Sequence, residues 1–195
     1  MVGGLAMLAC CAGLLSCDLL KTKPPDPDAE VHKKLNQLQI ALEQNVPDGS
    51  TTVVAVVAVV DTAAMVPVAK DAKPSEEAAA KEQAALGRER DVRQELNNVL
   101  VANKLMDVVQ PDQAQIDKGR QEIIATNSTP LSAALASELG TALKAQYLVC
   151  AMIDEDGKQV DVEAQQTADG KVVFQDTLLN WSILKPAAVE EAPAK

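Results

Sequence analysis

Thr51 to Val60 is an almost unbroken run of β-branched residues, and it limits the possible folds more than any other stretch of the chain. Branching at Cβ favours extended backbone. A strand without polar alternation must be covered on both faces, as in the interior of a parallel or mixed sheet. The run is therefore a central strand, and the fold must bring helices to cover it.

The rest of the chain supplies them. Leu35, Leu38 and Leu42 fall at helical spacing within residues 31–44, and Val46-Pro47-Asp48-Gly49-Ser50 ends that helix. Residues 61–74 read as a loop, after which Ser75 opens a long helix with Glu76 and Glu77 set against its dipole. Its first half is Ala-rich, charged and solvated. Beyond Gly87, Val92, Leu96, Val99 and Leu100 form a single apolar stripe that suits packing on a sheet. Leu105-Met106-Asp107-Val108-Val109, stopped by Pro111, is a short strand, and residues 112–124 form a polar helix. Thr129-Pro130 predicts the next helix start, with threonine as cap and proline at the first helical position. That helix runs to Lys144 and carries Leu131, Leu135, Leu139 and Leu143.

Three strands close the chain in quick succession. Residues 146–153 are apolar. Residues 159–165 alternate Val160, Val162 and Ala164 with Asp161, Glu163 and Gln165, and residues 171–184 hold Val172, Val173, Phe174 and Trp181. Asp156-Gly157-Lys158 and Asp169-Gly170-Lys171 are turn sequences that join neighbouring antiparallel strands. The expected fold is α/β: a mixed sheet of four to five strands with packed helices, a C-terminal antiparallel meander and a lipidated amino terminus.

That lipidation rests on Leu14-Leu15-Ser16-Cys17, which follows an uncharged apolar stretch and precedes Pro24-Pro25-Asp26-Pro27. Residues 2–16 are shorter than the roughly 20 apolar residues of a spanning helix, and small residues flank the cut, as processing of a signal peptide requires. The four residues read as a lipoprotein cleavage box. The thiol of Cys17 would carry diacylglycerol, and acyl chains would hold the protein on a membrane. Cys10 and Cys11 are alternative acylation sites with poorer flanking residues. The usual amino-terminal Lys or Arg is missing before Lys21, which leaves open a true start further upstream. Asp18 is the residue that retains some lipoproteins on the inner membrane. The expected organisation is a signal peptide over residues 1–16, a lipidated Cys17 with a polar Pro-rich spacer over 17–30, a periplasmic domain over 31–185, and a flexible tail over 186–195.

Charge and aromatic content narrow the partners. The net charge is −10 with no Lys/Arg cluster, which argues against nucleic acid and anionic lipid, both of which select positive charge. Tyr147, Phe174 and Trp181 are the only aromatics, so no stacking platform for bases exists. With Cys10 and Cys11 removed and Cys17 acylated, Cys150 stands alone and no intrachain disulfide is expected. Cys150 lies within Tyr147-Leu148-Val149-Cys150-Ala151-Met152-Ile153 and reads as a small buried hydrophobe.

No catalytic constellation emerges. His32 is the only histidine and sits among lysines beside the spacer, so a nucleophile in the domain has no imidazole base. Asp154-Glu155-Asp156-Gly157 hints at calcium, but an EF-hand loop needs ligands over twelve residues ending in glutamate, and Lys158 breaks the series. It reads as a solvated hairpin. Asn127-Ser128-Thr129 matches a glycosylation acceptor and is more simply a helix cap. No Gly-rich phosphate loop is present. The sequence predicts a non-enzyme without cofactor, metal or small-molecule substrate.

The order of signals over residues 96–181 resembles a known domain. Glu95-Leu96 to Lys104 with Met106-Asp107-Val108-Val109, Leu135 to Gly140, Leu143-Lys144-Ala145-Gln146-Tyr147-Leu148-Val149, and Thr167-Ala168-Asp169-Gly170-Lys171-Val172-Val173-Phe174 succeed one another. This order is similar to the small α/β domain of bacterial envelope lipoproteins, above all the LpoB-like activators of penicillin-binding proteins. In those activators an Ala-Gln-Tyr strand and a Thr-Gly-x-x-x-Trp strand occupy these places. Related domains occur in curli secretion channels, flagellar outer-membrane lipoproteins and the amino-terminal part of a Tol-system protein. The chain departs from the pattern at Phe174, where the family strand carries tryptophan, in the charged helix at 75–90, and in its short spacer.

The resemblance implies a lipid-tethered periplasmic protein at the outer membrane, whereas Asp18 favours the inner one. It also implies a protein partner, a peptidoglycan synthase, that is regulated without chemistry in this chain. The alternative is an outer-membrane assembly or secretion component related to the curli channel. The uniformly apolar Thr51 to Val60 counts against that role, because a pore-lining strand alternates.

Overall fold

A computed structural model describes residues 27–44, 50–65, 76–179 and Trp181. The signal segment, Cys17, the spacer up to residue 26, Val46 to Gly49, residues 66–75 with Ser75, and the tail from 186 lie outside the described residues.

The chain is α/β. Its elements are α1 (Pro27–Glu43), β1 (Thr52–Asp61), a 3₁₀ turn (Thr62–Met65), α2 (Glu76–Ala102), β2 (Met106–Val108), α3 (Gln113–Thr126), α4 (Ala133–Leu143), β3 (Tyr147–Ile153), β4 (Gln159–Gln166) and β5 (Val172–Leu179). The five strands form one mixed sheet in the order β2-β1-β3-β4-β5. β1 runs parallel to both β2 and β3, whereas β3, β4 and β5 form the antiparallel meander expected from the two Asp-Gly turns.

The β-branched run has a strand on either side and a helical layer on either face. Val54, Val56 and Val59 pack with Val31, Leu35, Leu38 and Leu42 of α1 and Val92, Leu96 and Leu100 of α2. Ala55, Val57, Ala58 and Val60 pack on the opposite side with Ile123 of α3 and Ala136 and Leu139 of α4. The change of phase comes from an irregularity in the β1–β3 register between Val56 and Ala58, which puts one extra residue on β1. Val57 and Ala58 consequently share a face, as at a β-bulge.

The helix boundaries differ from expectation in two places. α1 takes in Pro27–Glu30, which the sequence assigns to the spacer, because a proline's fixed φ and missing N–H cost nothing in the first helical turn. α4 begins at Ala133 with Ser132 as its cap, not at Thr129-Pro130. At the other end of the chain β5 stops at Leu179, short of the expected 184. Trp181 lies beyond the strand, where its indole N–H donates to the Gly157 carbonyl at 2.9 Å and its ring is buried.

A charged side chain satisfies a backbone group towards each edge of the sheet. β2 pairs only with Thr52–Val54, and further along β1 the Glu89 carboxylate of α2 accepts the Asp61 backbone N–H at 3.0 Å. At the far edge Lys34 of α1 donates to the Thr177 carbonyl of β5 at 2.6 Å and to Asp176 at 2.9 Å. Placing charged groups on bare strand edges satisfies backbone polarity and discourages edge-to-edge association.

Candidate functional site

The polar side chains of β4 meet the connection between α3 and α4, and this is where the structure concentrates buried polarity. α3 opens with a capping box, in which Asp112 and Gln115 satisfy each other's backbone N–H groups. It closes at Asn127, which adopts the left-handed conformation (φ 50°) that asparagine tolerates at a helix end. The Asn127-Ser128-Thr129 triplet therefore does include a cap, but the helix it caps is the preceding one.

Thr129 is unavailable as the cap of α4 because its hydroxyl donates to Glu163 of β4 at 2.9 Å. Two residues on, Leu131 is gripped by the Gln165 side-chain amide, which accepts from the Leu131 N–H (3.2 Å) and donates to the Leu131 carbonyl (2.7 Å). Gln165 donates also to the Gly170 carbonyl at 2.9 Å. The Ser132 N–H then donates to the Glu122 carboxylate of α3. These contacts hold residues 129–132 outside the helix, which begins only at Ala133.

Glu163 and Gln165 are 2 % and 3 % exposed. Burial raises the Glu163 carboxyl above its usual range, against the smaller opposing effect of the Thr129 hydroxyl. One oxygen of Glu163 takes the Thr129 bond, and the other has no partner among the described residues. Thr129 also lines a polar groove of about 540 Å³ with Asn127, Met152, Asp161, Gln175 and Thr177. Thr177 donates to Asp161 across its floor at 2.6 Å.

A second polar cluster sits at the carboxyl end of β1. Arg88 binds the fully buried Asp61 at 2.6 Å, and Arg120 of α3 binds Glu89 at 2.9 Å. Arg93 lies beside them, and burial lowers its guanidinium from the usual arginine value. The cluster ties α2 and α3 to the uncovered edge of β1.

The residues singled out from the sequence scatter. Cys17, with Cys10 and Cys11, lies outside the described residues. Cys150 is buried in the β3 core, and desolvation pushes its thiol upward. His32 lies on α1 and lines a different groove, of about 560 Å³, with Asn36, Gln39, Val99, Asn103 and Lys104. Asp154 makes a turn, its carboxylate accepting the N–H groups of Lys158 (2.6 Å) and Gln159 (3.0 Å). Among the described residues no cluster of three or more His, Cys, Asp or Glu is placed to hold a metal ion, and no helix is long and apolar enough to cross a membrane. Glu163 and Gln165 carry no distinguishing signal in the sequence, because their alternation with valines is also that of a solvent-facing set.

The protein-family models and the curated proteins contain no match to the chain. Solved structures do. The C-terminal domain of LpoB from Salmonella enterica aligns over 78 % of this chain and 96 % of its own, at 13 % identity and a TM-score of 0.40. The chain is similar to LpoB. The Escherichia coli LpoB C-terminal domain aligns over 74 % of this chain and 92 % of its own, at 14 % identity and a TM-score of 0.37. The NMR structure of E. coli LpoB covers 92 % of this chain and 82 % of its own, at 15 % identity and a TM-score of 0.36.

Proposed function

We propose that this protein is a lipid-anchored component of the bacterial cell envelope that faces the periplasm and binds and regulates a peptidoglycan synthase, without chemistry of its own. Anchoring is assigned to acyl chains on Cys17. The observation that carries the reading is the placement of the motif residues. Gln146 lies between β1 and the β4–β5 hairpin: its N–H donates to the Val53 carbonyl at 2.8 Å, its side-chain oxygen accepts the Val53 N–H at 3.2 Å, and its carbonyl accepts the Thr167 N–H at 2.9 Å. Tyr147 follows as a buried core side chain at the start of β3. Gln146 and Thr167 thus join the parallel and antiparallel halves of the sheet, and the stretches that carry the resemblance run through β3 and the β4–β5 hairpin.

The geometry limits where such a partner must lie. α1 begins at Pro27, so only residues 18–26 separate the acylated cysteine from the domain, and fully extended they reach about 30 Å. A synthase bound by this domain must present its docking site close to the membrane that holds the acyl chains. The test is a pull-down of purified penicillin-binding proteins with the purified protein, paired with a glycan polymerisation assay. Binding with a changed polymerisation rate supports the proposal, and neither binding nor a rate change overturns it.

A further inference from the structure

The α3–α4 connection is fastened to the sheet through a titratable group, and this arrangement has a consequence independent of any partner. Residues 127–129 wall one side of the polar groove, and among the described residues the side-chain attachments of the connection to β4 are Thr129 to Glu163 and Leu131 to Gln165. Gln165 is neutral at any pH. Glu163 is not, and it is 98 % removed from solvent with one oxygen unpartnered.

Among the described residues an ionised Glu163 has one hydrogen-bond donor, the Thr129 hydroxyl. Across β3 it faces Cys150, whose thiol stays protonated, and across β5 it faces Gln175. Along β4 its neighbours on the same face are Asp161, bonded to Thr177, and Gln165. Glu122 of α3 acts on Cys150 from the same side and is itself an acid. α4 contributes Ala136 and Leu139 to this layer. Among the described residues the charged groups named here are acidic, and ionisation inside the closed site costs solvation that none of them returns.

We propose that the α3–α4 connection is a proton-gated flap over the polar groove, shut while Glu163 is protonated and released when it ionises. Lifting Thr129 admits water to the carboxylate and widens the groove between Asn127 and Gln175. Linkage gives the size of the effect: the closed form holds the proton more tightly than the open form, in which Glu163 is hydrated. The open population therefore rises by up to about tenfold per pH unit between the two carboxyl values.

The test is amide hydrogen exchange of the full chain between pH 5 and 8, following peptides that span residues 123–135 and dividing by the intrinsic exchange rate. Opening in the unmodified protein is expected to rise with pH by several-fold per unit, and in Glu163→Gln to stay flat and low. Thr129→Val provides a second reading, since losing that hydroxyl raises the closed-state carboxyl value and extends the pH-dependent window upward. An opening that is independent of pH in the unmodified protein, or an equal slope in Glu163→Gln, overturns the proposal. So does a Thr129→Val profile that superimposes on that of the unmodified protein.

Discussion

The Glu89 carboxylate accepts the backbone N–H of Asp61 at 3.0 Å, and the same oxygen holds Arg120 at 2.9 Å. One side chain thus takes the place of a missing strand at the β1 edge and joins α2 to α3. Glu89→Ala is expected to cost about 2–4 kcal/mol, because it strips a buried N–H of its acceptor and leaves Arg120 unpaired. Glu89→Gln keeps an acceptor for Asp61 and costs less. Urea denaturation checks this: the midpoint falls with an unchanged slope. A change within about 0.5 kcal/mol, the ordinary result at a surface position, would contradict the assignment.

Gly140 on α4 packs against Thr167, and a β-carbon there would overlap the threonine side chain. Helix propensity alone favours alanine over glycine by about 1 kcal/mol, while overpacking of this kind costs about 1–3 kcal/mol. Gly140→Ala is therefore expected to be net destabilising in denaturation. Combining it with Thr167→Gly, which removes the obstructing atoms, is expected to cost less than the two single changes added together.

Glu163 gives stability a specific pH dependence. Its folded-state carboxyl is raised by burial, so its contribution is fully present below the ordinary carboxyl range and is lost as pH rises through the folded-state value. The unmodified protein should lose stability relative to Glu163→Gln by at most about 1.4 kcal/mol per pH unit within that window. Paired urea titrations from pH 5 to 8 measure the difference. A constant difference across that range contradicts the burial argument.

Cys150 is 2 % exposed at the centre of β3, and its thiol is pushed upward by desolvation. It should resist alkylation at pH 8 in the folded protein and react fully in denaturant, with the modified position identified by peptide mass mapping. Rapid reaction of the native protein would show that the β3 core opens far more readily than its packing implies.

What could be read from the sequence depended on how local the determinant was. The β1 run shows its burial by lacking polar alternation, and the two Asp-Gly turns announce the meander, so the class and mixed character of the sheet follow from short-range chemistry. Thr129-Pro130 misled because a capping side chain and a tertiary one look alike in sequence. The competitor for its hydroxyl, Glu163, lies 34 residues away. The same distance problem hid Gln165, whose amide pairs with Leu131 from a position that reads as solvent-facing. Glu89 was lost among the charges of α2, where only the short length of β2 reveals a strand edge in need of a partner. At Pro27 the polar, proline-rich composition of the spacer obscured a residue well suited to a first helical turn.

The measurement that most directly tests the central claim is in-cell cross-linking of tagged full-length protein beside a Cys17→Ala control, with mass spectrometry of the captured proteins. On this account, recovery of a peptidoglycan synthase from the unmodified protein and its loss from the control are expected if the proposed acylation of Cys17 anchors the domain. Capture of self-oligomers or secretion components without a synthase, or equal capture by both proteins, would contradict it.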